Sequence, residues 1–262
     1  MTFRLHRGTT PLLVSMPHVG THLPDDLKPR LVERALAVED TDWHLERLYE
    51  FVEDMGASLI VPLESRIVVD LNRGSDNRPM YPGRNNTELC PTRFFTGDPI
   101  YRDGCAPDEV EIRRRVAEHW QPYHDALAEE LGRLRAQHGY AVLFDAHSIQ
   151  GELPWLFEGR LPDLNMGTVD GRSCAPALRE AAYGVFQQQT RFSHVLDGRF
   201  KGGHITRHFG RPEEGWHAVQ LEMAWSAYMD EAPPYRWDAA RAAGVQPLLR
   251  ELVRTLIAWR PA

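Results

Sequence analysis

The chain has 262 residues, 42% of them hydrophobic, which is enough to bury one substantial core and close to the upper end of what a single domain holds. Its 30 basic and 37 acidic residues leave a formal net charge of −7 without long blocks of one sign, a pattern without the footprint of a nucleic-acid or membrane-surface binder. A small-molecule substrate is the simpler expectation, and since no run approaches the roughly 18 apolar residues of a membrane span, so is a soluble, cytoplasmic protein.

Strand-like runs alternate with helical patterns along the chain, the signature of an α/β fold. LLVSM predicts a strand over 11–16, followed by a helix near 40–55, in which Trp43, Leu45, Leu48, Tyr49 and Val52 recur at helical spacing until Gly56. SLIVPL at 58–63 and RIVVDL at 66–71 are too close together for an intervening helix and read as an antiparallel hairpin. The stretch 72–104 is rich in Gly, Pro, Asn and Asp, yet Met80, Tyr81, Phe94, Phe95 and Tyr101 give it apolar surface to bury, so it reads as an ordered, functional loop. A long amphipathic helix runs from Pro107 to His138, with Asp108, Glu109 and Glu111 in its first turn, Gly139 at its end, and Pro122 expected to kink or divide it. A strand at 140–145 follows, then a helix near 176–189. HVLDGRFKGGHITRHFG at 194–210 reads as a glycine-rich loop between extended pieces, 216–222 as a central strand, and 239–259 as a last amphipathic helix. The whole of 1–262 is expected to form one domain. Cys90, Cys105 and Cys174 lack both metal-site spacing and a natural pairing, and receive no role.

Four apolar runs end on residues that can do chemistry: LLVSMPHVG on His18, RIVVDLNR on Asp70, Asn72 and Arg73, AVLFDAHS on Asp145 and His147, and HAVQLEM on Glu222. In an open α/β sheet, ligands bind beyond the carboxyl ends of the strands, so these residues are expected to converge. Neutral imidazole is the commonest metal ligand, which makes His18 and His147 candidates, with Asp145 able to support an imidazole from behind. A third ligand should be a carboxylate, since catalytic zinc commonly keeps three protein ligands and one open position. AVEDTDWHLERLYEF offers Glu39, Asp40 and Asp42, one of which is expected to cap the helix that follows, and spacing leaves all three open. Asn72, Arg73, His204 and Arg207 are candidate holders of an acidic ligand, although most arginines are simply surface charges. Arg66, at the opposite end of its predicted strand, reads as a surface charge or a structural ion pair.

SMPHVG, TDWHLERLYEF, SRIVVDLNR, WQPYHDAL, DAHS, GRFKGGHITRHFG and HAVQLEMAWSAYM, in this order over nearly the whole chain, resemble the N-formylglutamate amidohydrolase (N-formylglutamate deformylase) family of histidine catabolism. The resemblance implies metal-dependent hydrolysis of N-formyl-L-glutamate to formate and L-glutamate, most simply with Zn2+. It also implies a phosphorylase/hydrolase-like fold related to the zinc carboxypeptidases, with a central mixed β-sheet and helices on both faces. It favours Asp42 as the third ligand and Glu222 as the catalytic carboxylate. One departure stands: zinc carboxypeptidases take two ligands from a His-x-x-Glu segment, whereas His18 is followed by Val19, Gly20 and Thr21. The alternatives are a related enzyme acting on another N-acyl amino acid, or an acidic-ligand binding protein that activates no water.

Overall fold

The computed structural model describes residues 2–80, 83 and 85–261. Tyr81 of the predicted loop core lies outside the described residues. Seven strands among the described residues form one mixed sheet: β1 (Phe3–His6), β2 (Leu12–Ser15), β3 (Ser58–Pro62), β4 (Ala141–Ile149), β5 (Leu164–Gly167), β6 (His194–Leu196) and β7 (Trp216–Ala224). Their order is β1-β3-β2-β4-β7-β5-β6. β3, β2, β4 and β7 run parallel, while β1 is antiparallel to β3 and β5 antiparallel to β7.

Strand periodicity explains the layers. Leu12, Val14, Val142, Phe144, Val219 and Leu221 point into one core, shared with α4 (Pro176–Gln187) and α6 (Ala239–Ala258). Their alternates Leu13, Leu143 and Ala218 meet Tyr123, Leu127, Leu131 and Leu134 of α3 (Gln121–His138) on the other face. A central mixed sheet with helices on both faces is therefore what the structure has, as the family resemblance implied. No described helix is long and apolar enough to cross a membrane.

Several predicted elements change. The helix near 40–55 contracts to the single turn α1 (Leu45–Leu48), whose N-cap is His44 in the left-handed region, so none of Glu39, Asp40 or Asp42 caps it. The hairpin at 58–71 is absent because both edges of β3 are taken by β1 and β2. Residues 66–71 form turns instead, and their apolar side chains divide between two clusters, Ile67 and Val68 in one and Val69 and Leu71 in the other. Helical side chains replace the missing ladder partners: Arg115 Nη1 donates to the Val68 carbonyl at 3.1 Å and His124 Nε2 to that of Leu71 at 2.8 Å. The long helix is divided as Pro122 predicts, into α2 (Glu109–Arg115), a π-helical turn (Val116–Trp120) and α3. The glycine-rich loop is flanked by β6 before it and by a short helix, α5 (His204–Phe209), after it, rather than by two extended pieces. β1 and β5, only four residues each, carry too short a pattern to be foreseen.

Candidate metal centre and active site

His18 leaves the end of β2, and its carbonyl accepts the backbone N–H of Asp42 at 3.0 Å, which ties two distant segments together. His147 projects from the carboxyl half of β4, and the parallel register sets it directly opposite Glu222 of β7. Nδ1 of His147 lies 3.3 Å and Nδ1 of His18 3.8 Å from Oδ2 of Asp42. One ligand atom from each of the three residues falls within 4.8 Å of the others, and all three side chains are buried.

The far nitrogens are also held by carboxylates. His18 Nε2 is 2.7 Å from Asp70 Oδ1, and His147 Nε2 is 3.0 Å from Asp145 Oδ2, an arrangement that fixes ring orientation and leaves each Nδ1 facing Asp42. Ser15 Oγ donates to Asp145 Oδ1 at 3.3 Å and contacts the Tyr123 hydroxyl at 3.1 Å. Asp42 Oδ2 additionally accepts the Ser148 N–H at 3.1 Å. Of the three candidate carboxylates, Asp42 is the one in the group. Glu39 pairs with Arg34 at 2.7 Å, and Asp40 accepts the Phe95 N–H at 2.9 Å.

Charge explains why the group suits a cation. Asp42, Asp70, Asp145 and Glu222 are all buried, and Arg66 is the buried guanidinium among them, ion-paired to Asp70 and 4.0 Å from Asp42. Buried charge left unpaired is costly, so the surplus of carboxylates calls for a proton or a metal ion. Burial opposes a charged imidazole at His147, yet Asp145, Asp42 and Glu222 together hold its pKa well above the ordinary value. Burial, together with Arg66, lowers that of His18. Burial raises Glu222, with the Asp42 and Asp145 charges adding and His147 and Arg66 opposing. Two imidazole nitrogens and one carboxylate at this spacing are a donor set that fits Zn2+ with a position left open.

These residues floor one cavity, whose walls include Asn72, Arg73, Phe95, Leu156, Arg199, Phe200 and Gln220. The Asn72 amide lies 2.9 Å from His147 Nε2 and 3.2 Å from Asp145 Oδ2, while its Oδ1 accepts the Ile205 N–H at 2.8 Å. Asn72 thus braces the histidine as well as facing the cavity. Arg73 rests on Thr87, with Nε 3.2 Å from the carbonyl and Nη2 3.2 Å from the hydroxyl. His204 and Arg207 lie outside the cavity lining; Arg207 is exposed and donates to the Gly202 carbonyl at 2.9 Å. The helical turn of α5, where an extended piece was expected, carries them away. Of the two readings of Arg66, surface charge or structural ion pair, the structure has the buried ion pair, and Arg66 is also a cavity wall. Sequence reasoning placed Asp70 among the converging strand-end residues without a specific role, and did not single out Arg199. Asp70 was visible as a polar residue inside an apolar run; Arg199 carried no signal beyond its glycine-rich surroundings.

An α/β sheet with a buried His–Asp–His group and a carboxylate beside it defines, as a class, a protein with a candidate divalent-metal centre at the carboxyl end of parallel strands. The sequence model of the N-formylglutamate amidohydrolase family matches residues 10–229, and the chain belongs to that family. It is 53% identical over 253 residues to the N-formylglutamate deformylase of Pseudomonas aeruginosa, covering 97% of this chain and 95% of that one. It is 49% identical over 254 residues to the N-formylglutamate deformylase of Pseudomonas putida, with coverage of 97% and 95%. The fold resembles the crystal structure of N-formylglutamate amidohydrolase from Ralstonia eutropha JMP134, with a TM-score of 0.80 at 24% identity, covering 98% of this chain and 96% of that one.

Proposed function

We propose that this protein is a metal-dependent amidohydrolase that cleaves N-formyl-L-glutamate to formate and L-glutamate, the step that the family contributes to histidine catabolism, in the cytoplasm. The observation that carries the proposal is the His18–Asp42–His147 group with Glu222 directly across from His147 on the neighbouring strand. Family membership and the two deformylase relatives supply the substrate.

In this reading His18, Asp42 and His147 hold one divalent cation, taken to be Zn2+. When bound, such an ion polarises an amide carbonyl and brings the pKa of water towards neutrality. Glu222 accepts a proton from the water that attacks the formyl carbon, then delivers it to the amide nitrogen as the C–N bond breaks, so that formate and the free amine of glutamate leave. Asp70 and Asp145 keep the two imidazoles oriented. Two carboxylates on the substrate call for two cationic holders, and among the described residues Arg73 and Arg199 are the arginines of the cavity wall outside the buried ion pair of Arg66. His204 and Arg207, outside the lining, have no part in this proposal.

The test is release of formate from N-formyl-L-glutamate by protein stripped with chelator and reloaded with Zn2+. Release should vanish on stripping and return on loading; full activity in the stripped protein overturns the metal assignment, and inactivity in both forms overturns the substrate. Glu222→Gln should keep the metal while kcat falls by roughly 10²–10⁴. Near-normal turnover in that variant returns Glu222 to a structural role.

A further inference from the structure

Trp120, Tyr123 and His124 are buried beside the site, yet none of them lines its cavity. Tyr123 reaches Asp145 through Ser15. Trp120 and His124 do something different: they grip the backbone that carries Asn72 and Arg73. That backbone belongs to no strand, so its carbonyls have no ladder partners. Each is met from outside. The His124 Nε2–H donates to the Leu71 carbonyl at 2.8 Å, the Trp120 indole N–H to the Arg73 carbonyl at 2.8 Å, and the His204 backbone N–H to the Asn72 carbonyl at 3.3 Å.

The two donor rings are themselves immobilised. They stack with centroids 3.7 Å apart at 15°, and Phe209 stacks on His124 at 5.9 Å. The π-helical turn ends at Trp120, where it enters α3, and the spacing of four residues puts both rings on one face of the helix. A turn whose carbonyls are pinned on both sides of Asn72 keeps the Cα positions from which its side chains project, and displacements of about 1 Å at a positioning residue are enough to cost reaction rate.

We infer that Trp120 and His124 are positioning residues for substrate recognition: a stacked pair whose two N–H groups clamp the 71–73 turn and so aim Arg73 at a substrate carboxylate. The inference rests on the reading of Arg73 given above. Trp120→Phe keeps a stacking ring and deletes one donor. It should raise KM for N-formyl-L-glutamate, lowering kcat/KM by about 10-fold, the order expected for one buried hydrogen bond, with kcat changed by less than about twofold. In an Arg73→Ala background the same substitution should have little further effect, because contacts that act through one group are not additive. His124→Gln places an amide N–H close to the lost Nε2 and should restore near-wild-type KM, whereas His124→Leu, which keeps bulk alone, should not.

Equal factors for Trp120→Phe in both backgrounds overturn the clamp while leaving Arg73 as a carboxylate holder. An Arg73→Ala variant with unchanged kcat/KM overturns the reading of Arg73, and the clamp with it. His124→Leu performing as well as His124→Gln reduces the pair to packing and also overturns the inference.

Discussion

Asp40 and Asp42 differ by two positions and by everything around them. Asp42 faces two imidazole nitrogens, while Asp40 is half-buried against the Phe95 N–H, where desolvation pushes its carboxyl up to about 6 despite the opposing pull of Arg66 and that hydrogen bond. The segment that carries both turns sharply before them: Val38 sits at φ +46°, uncommon for a β-branched residue, and the Thr41 hydroxyl donates back to the Val38 carbonyl at 2.6 Å. Asp42→Ala should therefore lose the bound metal, whereas Glu39→Gln and Asp40→Asn should retain it, as read by metal content after dialysis. Asp70→Asn should keep a metal but weaken its affinity by roughly 10- to 100-fold, the usual consequence of removing the partner of a metal-binding histidine. Full metal affinity in Asp70→Asn would show that its pairing with Arg66, not with His18, is what matters there. His18, His147 and Glu222 were legible as candidates because each closes or follows an apolar run; Asp42 was not separable from its neighbours by spacing, because all three acidic side chains look alike along the chain, and it was favoured through the family resemblance alone.

At the scale of elements, the long apolar strands and the long helices were the most legible parts, and the short strands and connections the least. β2, β4 and β7 declare themselves by continuous apolar runs, and their parallel register then places Ser15 opposite Asp145 and His147 opposite Glu222. The 66–71 run misled because apolar content alone does not say whether a strand edge is available. The loop after β6 approaches the site closely. A Cβ on Gly203 would lie 2.2 Å from the Asn72 amide nitrogen, and the Gly203 N–H donates to Gln220 at 2.6 Å. Gly203→Ala must displace Asn72, which touches both Asp145 and His147. It should cut kcat/KM by more than about 10-fold, since small misplacements near reacting groups are costly, with circular dichroism unchanged. A fully active Gly203→Ala would mean that Asn72 has room to move and does not brace the histidine.

Across the whole molecule, α2 and α3 hold the site-bearing turn against the sheet, and an ion-pair network secures α2. Glu111 accepts from Arg114 Nη2 and from Arg115 Nε, each at 2.8 Å, and Arg115 in turn donates to the Val68 carbonyl at 3.1 Å. Hydrogen bonding to Arg114, opposed by burial and reinforced by Arg115, holds the Glu111 carboxyl at about 2 against an ordinary value of 4.5. Because the folded-state value is the lower one, the stabilisation is present above pH about 4.5 and drains away as pH falls towards about 2. Thermal unfolding of Glu111→Gln should accordingly show a lower Tm than wild type at neutral pH and a narrowing gap below pH about 4.5; a constant gap would locate the effect in packing rather than charge. The sequence by itself determined the α/β class, the apolar strands, the proline-divided helix and the strand-end histidines, because these are written in local periodicity and in the residues that interrupt it. Spacing left the carboxylate that joins the histidines open, with the family resemblance favouring Asp42, and only the tertiary structure decided that Asp70 stands behind His18, that His204 and Arg207 turn away while Arg199 faces inward, and that Trp120 and His124 grip the turn between Leu71 and Arg73. Those outcomes depend on which distant segments meet, and distance along the chain carries no record of that.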